Sequence, residues 1–422
     1  MRNAFSTRWR TYKIDQLGFI GRGRSRHRPR NEPSLYGGEY PFFQTGDIKA
    51  ANLYLTVYSQ TYNEKGLAQS KQWETGTLCI TIAANIAETA ILGIRGCFPD
   101  SVIGFIPDPA KADVRFIKYY IDLIKLDMQQ VSHGTTQDNL SLEKLLRFDF
   151  VVPHVKEQRK IASILSAYDD LIENNLRRIK ILEEMAQTLY REWFVKFRFP
   201  GHGKVRMVDS PLGKIPDGWE VEPLANLVET RYGYTESAQD SPIGPKFLRG
   251  MDINKNSYID WNNVPYCKIS SENYPKFRLR RGDIVVIRMA DPGKVGIVEQ
   301  EVDAVFASYL VRLRINANRL LPYYLFYFLL SDRYQAYVTG ASTGTTRKSA
   351  SSGVITGIDI LIPDLDFLRQ YDDKICKIRQ FIINLLRRNI TLRQTRDLLL
   401  PKLISGELDV SDLDISMSEE AA

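Results

Sequence analysis

Nine residues near the middle of the chain, Asn174–Leu182 (NNLRRIKIL), return almost unchanged at Asn384–Leu392 (NLLRRNITL), 210 residues later. The echo is not isolated. Gly134 opens GTTQ and Gly344 opens GTTR at the same offset, and Pro153 and Pro363 keep it. Thr45–Leu55 (TGDIKAANLYL) resembles Gly250–Ile259 (GMDINKNSYI), and Trp9 and Trp219 each precede a short Leu-containing stretch. Two repeats of this length mean two like domains, not a solenoid of many short units. A chain of 422 residues can give each its own core.

Each half has an irregular region followed by a helical region. The irregular regions carry short β-type runs, TLCITIAA (Thr77–Ala84) and DIVVIRM (Asp283–Met289), separated by Gly, Pro and Asn. Along the first helical region a single register holds for more than four heptads. One seam position takes Ile161, Tyr168, Asn175, Leu182 and Leu189; the other takes Leu165, Ile172, Ile179, Ala186 and Trp193. Shifted by 210 residues, the same seam reads Tyr371, Ile378, Leu385, Leu392 and Leu399, with Ile375, Ile382, Asn389 and Arg396. Alternating steps of four and three make a coiled-coil seam. A single amphipathic helix usually packs on its own domain. Two long ones with narrow apolar faces point instead to helix-on-helix pairing. Asn175 and Asn389 would then fix register, or mark a solvated end of the seam.

The fold class expected is α/β: two tandem α/β domains separated by two long helices that form an antiparallel coiled coil. The first domain is expected over 1–152 and the first helical region over 153–198, ended by Pro200-Gly201. A Gly/Pro-rich linker follows at 199–215. The second domain covers 216–362 and the second helical region 363–408, ended or kinked by Pro401. The tail, 409–422, is acidic and expected to be disordered.

Composition bounds the function. The 11-residue apolar run Leu320–Leu330 is too short to span a bilayer. No secretory signal follows the basic start, and Cys79, Cys97, Cys267 and Cys376 show no C-x-x-C. This fits buried thiols in a reducing, cytoplasmic setting. Several catalytic patterns are absent or fail in context. GASTG (Gly340–Gly344) has the spacing of a nucleophile elbow, but all four histidines (His27, His133, His154, His202) precede Ser342. FIGRG (Phe19–Gly23) looks like a methyltransferase cofactor loop but runs into SRHRPRNEP, a poor helix start. There are no adjacent prolines for an amino-methyltransferase signature, no P-loop and no E-x-K of the common nuclease core. No catalytic residue, metal site or cofactor is therefore expected in this chain.

The net charge of +7 suggests a polyanionic partner, and its distribution says more. Residues 1–30 hold nine Lys and Arg against one acid, and five arginines alternate along RGRSRHRPR. Arg22, Arg24, Arg26, Arg28 and Arg30, with His27, could neutralise several phosphates from a loop. The corresponding stretch of the second half, Glu229–Gln239, is aromatic and polar instead, with Arg231, Tyr232 and Tyr234. The GTT loops offer Thr135, Thr136 and Gln137, then Thr345, Thr346, Arg347 and Lys348. Gln pairs bidentately with adenine and Arg with guanine in the major groove, although a Thr/Ser-rich turn explains the loops equally well. Thr45, Lys49, Arg249 and Arg288, in or beside the repeated motifs, complete the candidate DNA contacts.

Taken together, these stretches resemble the specificity subunit of type I restriction–modification systems. GKIPDGWEVEPLANL (Gly213–Leu227) is similar to the start of a target-recognition domain, and GDIK and GMDIN to a motif inside it. GTTQDNLSLEKLLRFDFVVPHVKEQRKIASIL (Gly134–Leu165) is similar to the loop, strand and first turns of the conserved helix, and LLLPKLISGEL (Leu398–Leu408) to the usual C-terminal end. The first half lacks G-x-I-P before Trp9, and the second has Arg347 where the first has Gln137. The resemblance implies two target-recognition domains, each reading half of a split DNA sequence. It implies helices that set the spacer and dock two methyltransferase subunits, with motor–nuclease subunits joining for cleavage. S-adenosylmethionine would be held by the methyltransferase partner. The alternative reading is a coiled-coil scaffold whose heads bind protein. An autonomous methyltransferase or nuclease is disfavoured by the missing signatures.

Overall fold

The computed structural model describes residues 9–132, 140–344 and 348–415. The chain divides into two compact units of mixed α/β structure. The first comprises Met1–Arg177 with Leu385–Ala422, the second Arg178–Asn384.

In the first unit a five-stranded sheet runs in the order Gly18–Arg22, Val102–Pro107, Leu78–Thr81, Thr89–Leu92, Tyr54–Leu55. All its pairings are antiparallel except the last. Leu78–Thr81 is buried at every residue, so it reads as an unbroken apolar run rather than an alternation. The Val114–Leu123 helix covers the sheet. Asp113 caps it by accepting from the Arg115 and Phe116 amides, and Phe116, Ile117 and Ile121 turn inward. Their core also takes Ile161, Ala162 and Leu165 from the first long helix (Val155–Tyr190) and Leu403 and Ile404 from the second (Leu365–Ile404). Val410 is buried in the same core, and Lys160 Nζ donates to the Ser411 carbonyl at 2.6 Å. The start of the acidic tail is therefore packed where a loose end was expected.

The second unit repeats the plan with a four-stranded antiparallel sheet, Val228–Tyr232, Leu310–Ile315, Ile284–Ile287, Val295–Ile297. The apolar run near Leu320 forms a buried helix, Pro322–Leu330. Its Tyr324 joins an aromatic cluster with Tyr190, Trp193, Phe194, Trp219, Phe367 and Tyr371. Phe194 lies 4.6 Å from Tyr324 and 4.8 Å from Tyr371, ring to ring. This cluster changes how the first long helix ends. The α-helix stops at Tyr190, a wider π-type turn carries Arg191–Val195, and Phe197 takes a positive φ of 56°, all before Pro200. Rotating Trp193 and Phe194 into the core determines the stop, not the proline.

Two further expectations fail locally. The stretch expected to be a linker folds as a hairpin, Met207–Ser210 with Gly213–Pro216, and its Phe199 stacks on Trp219 at 5.7 Å. Pro401 lies inside the second long helix without ending it. It falls in the last turn, where few carbonyls remain to be paired, and the Ser405 amide closes on its carbonyl at 3.0 Å.

Of the seam residues, Leu165, Ile172, Asn175, Ile179, Ile375, Ile382, Leu385 and Asn389 are buried, while Leu182, Leu189, Ile378 and Leu392 are half-buried. Within the first unit Asn175 Nδ2 donates to Asn389 Oδ1 at 2.7 Å. Both asparagines are buried, so neither marks a solvated end. No helix among the described residues is long and apolar enough to cross a membrane.

Candidate nucleic-acid interface

The candidate residues sit on loops that the two sheets hold in matching ways. In the first unit Gly23 follows the Gly18–Arg22 strand, and its amide donates to the Val102 carbonyl at 2.8 Å. In the second, Gly233 follows Val228–Tyr232 and donates to Leu310 at 3.1 Å. A Cβ at Gly23 would lie 2.3 Å from the Pro99 carbonyl oxygen, and one at Gly233 would lie 2.1 Å from that of Ala307. Only glycine lets either loop cross so close to backbone.

The next loop matches as well. After Leu78–Thr81, the Ile82 amide donates to Ser101 and the Ile82 carbonyl accepts from Leu140, both at 2.9 Å. After Ile284–Ile287, Arg288 does the same with Tyr309 at 2.9 Å and Ala350 at 2.8 Å. Two residues further on, Ala84 and Ala290 adopt positive φ, 65° and 71°. A left-handed alanine costs roughly 1–2 kcal/mol, so both turns are held by their surroundings. In the second unit this loop pairs with the end of the GTT loop, Met289–Ala290 against Lys348–Ser349.

On these matched loops the side chains differ. The five alternating arginines are not equivalent. Arg24 braces the loop by donating its Nε to the Ser70 carbonyl at 2.8 Å. Arg22 donates to the Asp100 carbonyl at 3.1 Å, Arg28 lies 3.5 Å from the Asp100 carboxylate, and Arg30 binds that carboxylate at 2.5 Å. The Arg26 and His27 amides are tied to Gln69 Oε1, while the Arg26 side chain is exposed. The loop is thus a folded basic knob around Asp100 and not five free phosphate contacts. Arg30 and Thr45 line one cavity of about 380 Å³ with Tyr36, Gln44, Gln60 and Ala84. Thr45 begins the Thr45–Ala50 helix, from which Lys49 reaches Asn85 at 3.2 Å.

In the second unit the structure brings Tyr232, Arg288 and Lys348 together. The Arg288 guanidinium lies 4.7 Å from the Tyr232 ring centre, and the Tyr232 hydroxyl accepts from the Ser352 amide at 2.9 Å. The side-chain and backbone hydrogen bonds with Ser352, with Arg288 beside the ring, hold the Tyr232 pKa below its usual value. Lys348 pairs through its backbone with Ala290. Tyr234 instead packs against Phe277 at 5.2 Å in a small core, so it serves the loop more than its surface. Arg249 forks onto Asp252, and Arg231 lies 4.0 Å from Glu229. Thr135, Thr136, Gln137, Thr345, Thr346 and Arg347 lie outside the described residues.

Catalytic geometry does not assemble at GASTG. Ser342 follows the Asp332–Ala341 helix and donates its hydroxyl back to the Val338 carbonyl. No group of acidic, His or Cys side chains spaced to hold a metal occurs among the described residues. Sequence reading missed Asp100, Gln69 and the alanine turns. Nothing local distinguishes those alanines from core residues.

The comparisons with known proteins fit this duplicated plan. Residues 7–184 match the family model of the type I restriction modification DNA specificity domain. The whole chain is similar to the MjaIX specificity subunit of a type I restriction enzyme from Methanocaldococcus jannaschii, 25% identical over 96% of this chain and 94% of that one. The MjaVIII specificity subunit of the same organism is 23% identical, over 81% of each. In fold the chain resembles the S subunit of the type I system of M. genitalium, with a TM-score of 0.55, 16% identity and coverage of 94% and 96%. The chain therefore carries a DNA specificity domain. Its similarity to the specificity subunits of type I restriction enzymes extends over most of its length.

Proposed function

We propose that the two units are target-recognition heads, each reading one half of a split DNA sequence, and that the chain itself is non-catalytic. The observation that carries this reading is the pair of matched loops: same strand ends, same glycine crossing, same left-handed alanine, different side chains. A scaffold that fixes backbone and exchanges side chains suits two readouts of one kind of ligand. The long helices pair antiparallel as a coiled coil. Asn175 bonds Asn389 in one unit and Trp193 meets Phe367 at 5.2 Å in the other, and in both a higher number on one helix faces a lower number on the other.

In this reading the helices set the number of unread base pairs and dock two methyltransferase subunits, with motor–nuclease subunits added for cleavage. Methylation draws on S-adenosylmethionine held by the methyltransferase partner. Modules on one face of a duplex read sites about one turn, ~34 Å, apart or multiples of it. Methylated sites are mapped genome-wide in cells with and without this gene, and with one heptad inserted after Arg177. The expected result is a split motif that vanishes without the gene and changes only its spacer with the insertion. An insertion that altered the half-site bases would overturn the ruler.

A further inference from the structure

Most arginines on or beside the second unit's four-stranded sheet are neutralised. Arg312 reaches Glu229 at 3.3 Å, Arg314 reaches Asp283, Arg249 reaches Asp252, and Arg231 lies within 4.0 Å of Glu229. Arg288 differs. It makes no ion pair among the described residues, and its Nε is buried without a partner. Its backbone is pinned on both sides, to Tyr309 and Ala350, and its guanidinium lies over Tyr232. Tyr232 is itself fixed by Ser352.

A stacked guanidinium has little rotamer freedom left to lose, and its planar fork suits a bidentate acceptor pair. With Nε inside, the two terminal nitrogens are the edge left to donate. Guanine O6 and N7 form such a pair in the major groove, and this is the commonest specific contact an arginine makes. A phosphate needs no such fixed plane, and Lys348, exposed beside this site, suits that role better. The matching position in the first unit is Ile82, wholly buried, so only one head has this device.

We propose that Arg288, held flat on Tyr232, reads one guanine in the half-site of the second unit. The inference rests on the reading of the units as DNA-recognition heads. The test uses the full chain co-expressed with its methyltransferase partner and compares wild type, Arg288→Ala, Arg288→Gln and Arg288→Lys. Methylated motifs are mapped and binding to the mapped duplex is measured at two salt concentrations.

Arg288→Ala is expected to lose about 10- to 100-fold discrimination at a single G·C pair of one half-site, leaving the other half unchanged. Arg288→Gln is expected to shift that position toward A·T. Arg288→Lys keeps the charge but not the fork, and is expected to relax the same position. Equal weakening on every sequence with a flatter salt dependence would identify a backbone contact and overturn the inference, while DNA reading by the head stands. An unchanged motif in all three variants also overturns it. A wild-type complex indifferent to base sequence would instead sink the reading of the heads. Should Arg288→Ala not fold, the Lys and Gln variants carry the same comparison.

Discussion

The two units hold their long-helix segments with the same kind of polar contact, built with opposite charge. In the first, Asp169 of the first long helix accepts from the Tyr119 hydroxyl and from Arg396 of the second. The residue 210 positions after Asp169 is Arg379, on the second long helix. In the second unit Arg379 is fully buried and binds Glu299 at 2.8 and 2.5 Å and Ser257 at 2.8 and 2.9 Å. Glu183 of the first long helix accepts from the same Ser257. Duplication has thus left one site and reversed its sign. The second head placed at the first position would set Glu299 against Asp169, while the first head at the second position would leave Arg379 without its carboxylate. The difference shows how duplicated halves can keep their heads from being interchangeable.

The largest effect should come from Arg379→Ala. It leaves the buried Glu299 carboxylate without its cation and is expected to cost about 3–5 kcal/mol in urea unfolding. Asp169→Ala should cost less, because Arg396 is only partly buried and keeps Asp397 at 2.8 Å. Equal losses would erase the contrast. Replacing Arg379 with Met together with Glu299→Leu should recover most of the stability, since buried ion pairs are matched by well-packed apolar groups.

The asparagine pair sharpens the comparison next. The residues equivalent to Asn175 and Asn389 are Leu385 and Ile179, so the asparagine layer is not repeated. Asn389 Nδ2 is buried without a partner. Asn175→Leu with Asn389→Leu should therefore stabilise the chain by about 1–2 kcal/mol, measured by the same unfolding, with less unique helix register by cysteine crosslinking.

Smaller still, Ala84→Gly and Ala290→Gly should each add up to about 1 kcal/mol by relieving a left-handed alanine. Unequal responses would mean that the two turns are not held alike. Last comes pH. Tyr232 has a pKa below the usual 10.0 when folded. Its contribution to stability is therefore present above the unfolded value and lost as pH falls through the folded one. Arg288→Ala should move the Tyr232 titration upward, read by ultraviolet absorbance against Tyr232→Phe, and leave the buried tyrosines untouched.

Much of this was legible in the chain. The 210-residue echo gave two α/β units, and heptad spacing placed the long helices, because burial along a helix follows a period that sequence displays. The charge reversal at Asp169 and Arg379 was also open to reading, one position beyond the apolar seam. The helix stop before Pro200 was not, since it depends on Phe194 and Trp193 finding Tyr324 and Tyr371, far away in sequence. The basic loop was found, but not the partners its arginines have within the fold. Alternation suggested arginines that could neutralise several phosphates, whereas Asp100 and the Ser70 carbonyl, brought in from distant loops, engage most of them.

Ala84 and Ala290 carry one more implication. Each turn keeps its path while the residue two places before it is isoleucine in one unit and arginine in the other. In the proposed reading of the heads, substitution at the root of the turn would retune what a head prefers while the turn keeps its path. New preferences would be reachable through single codons.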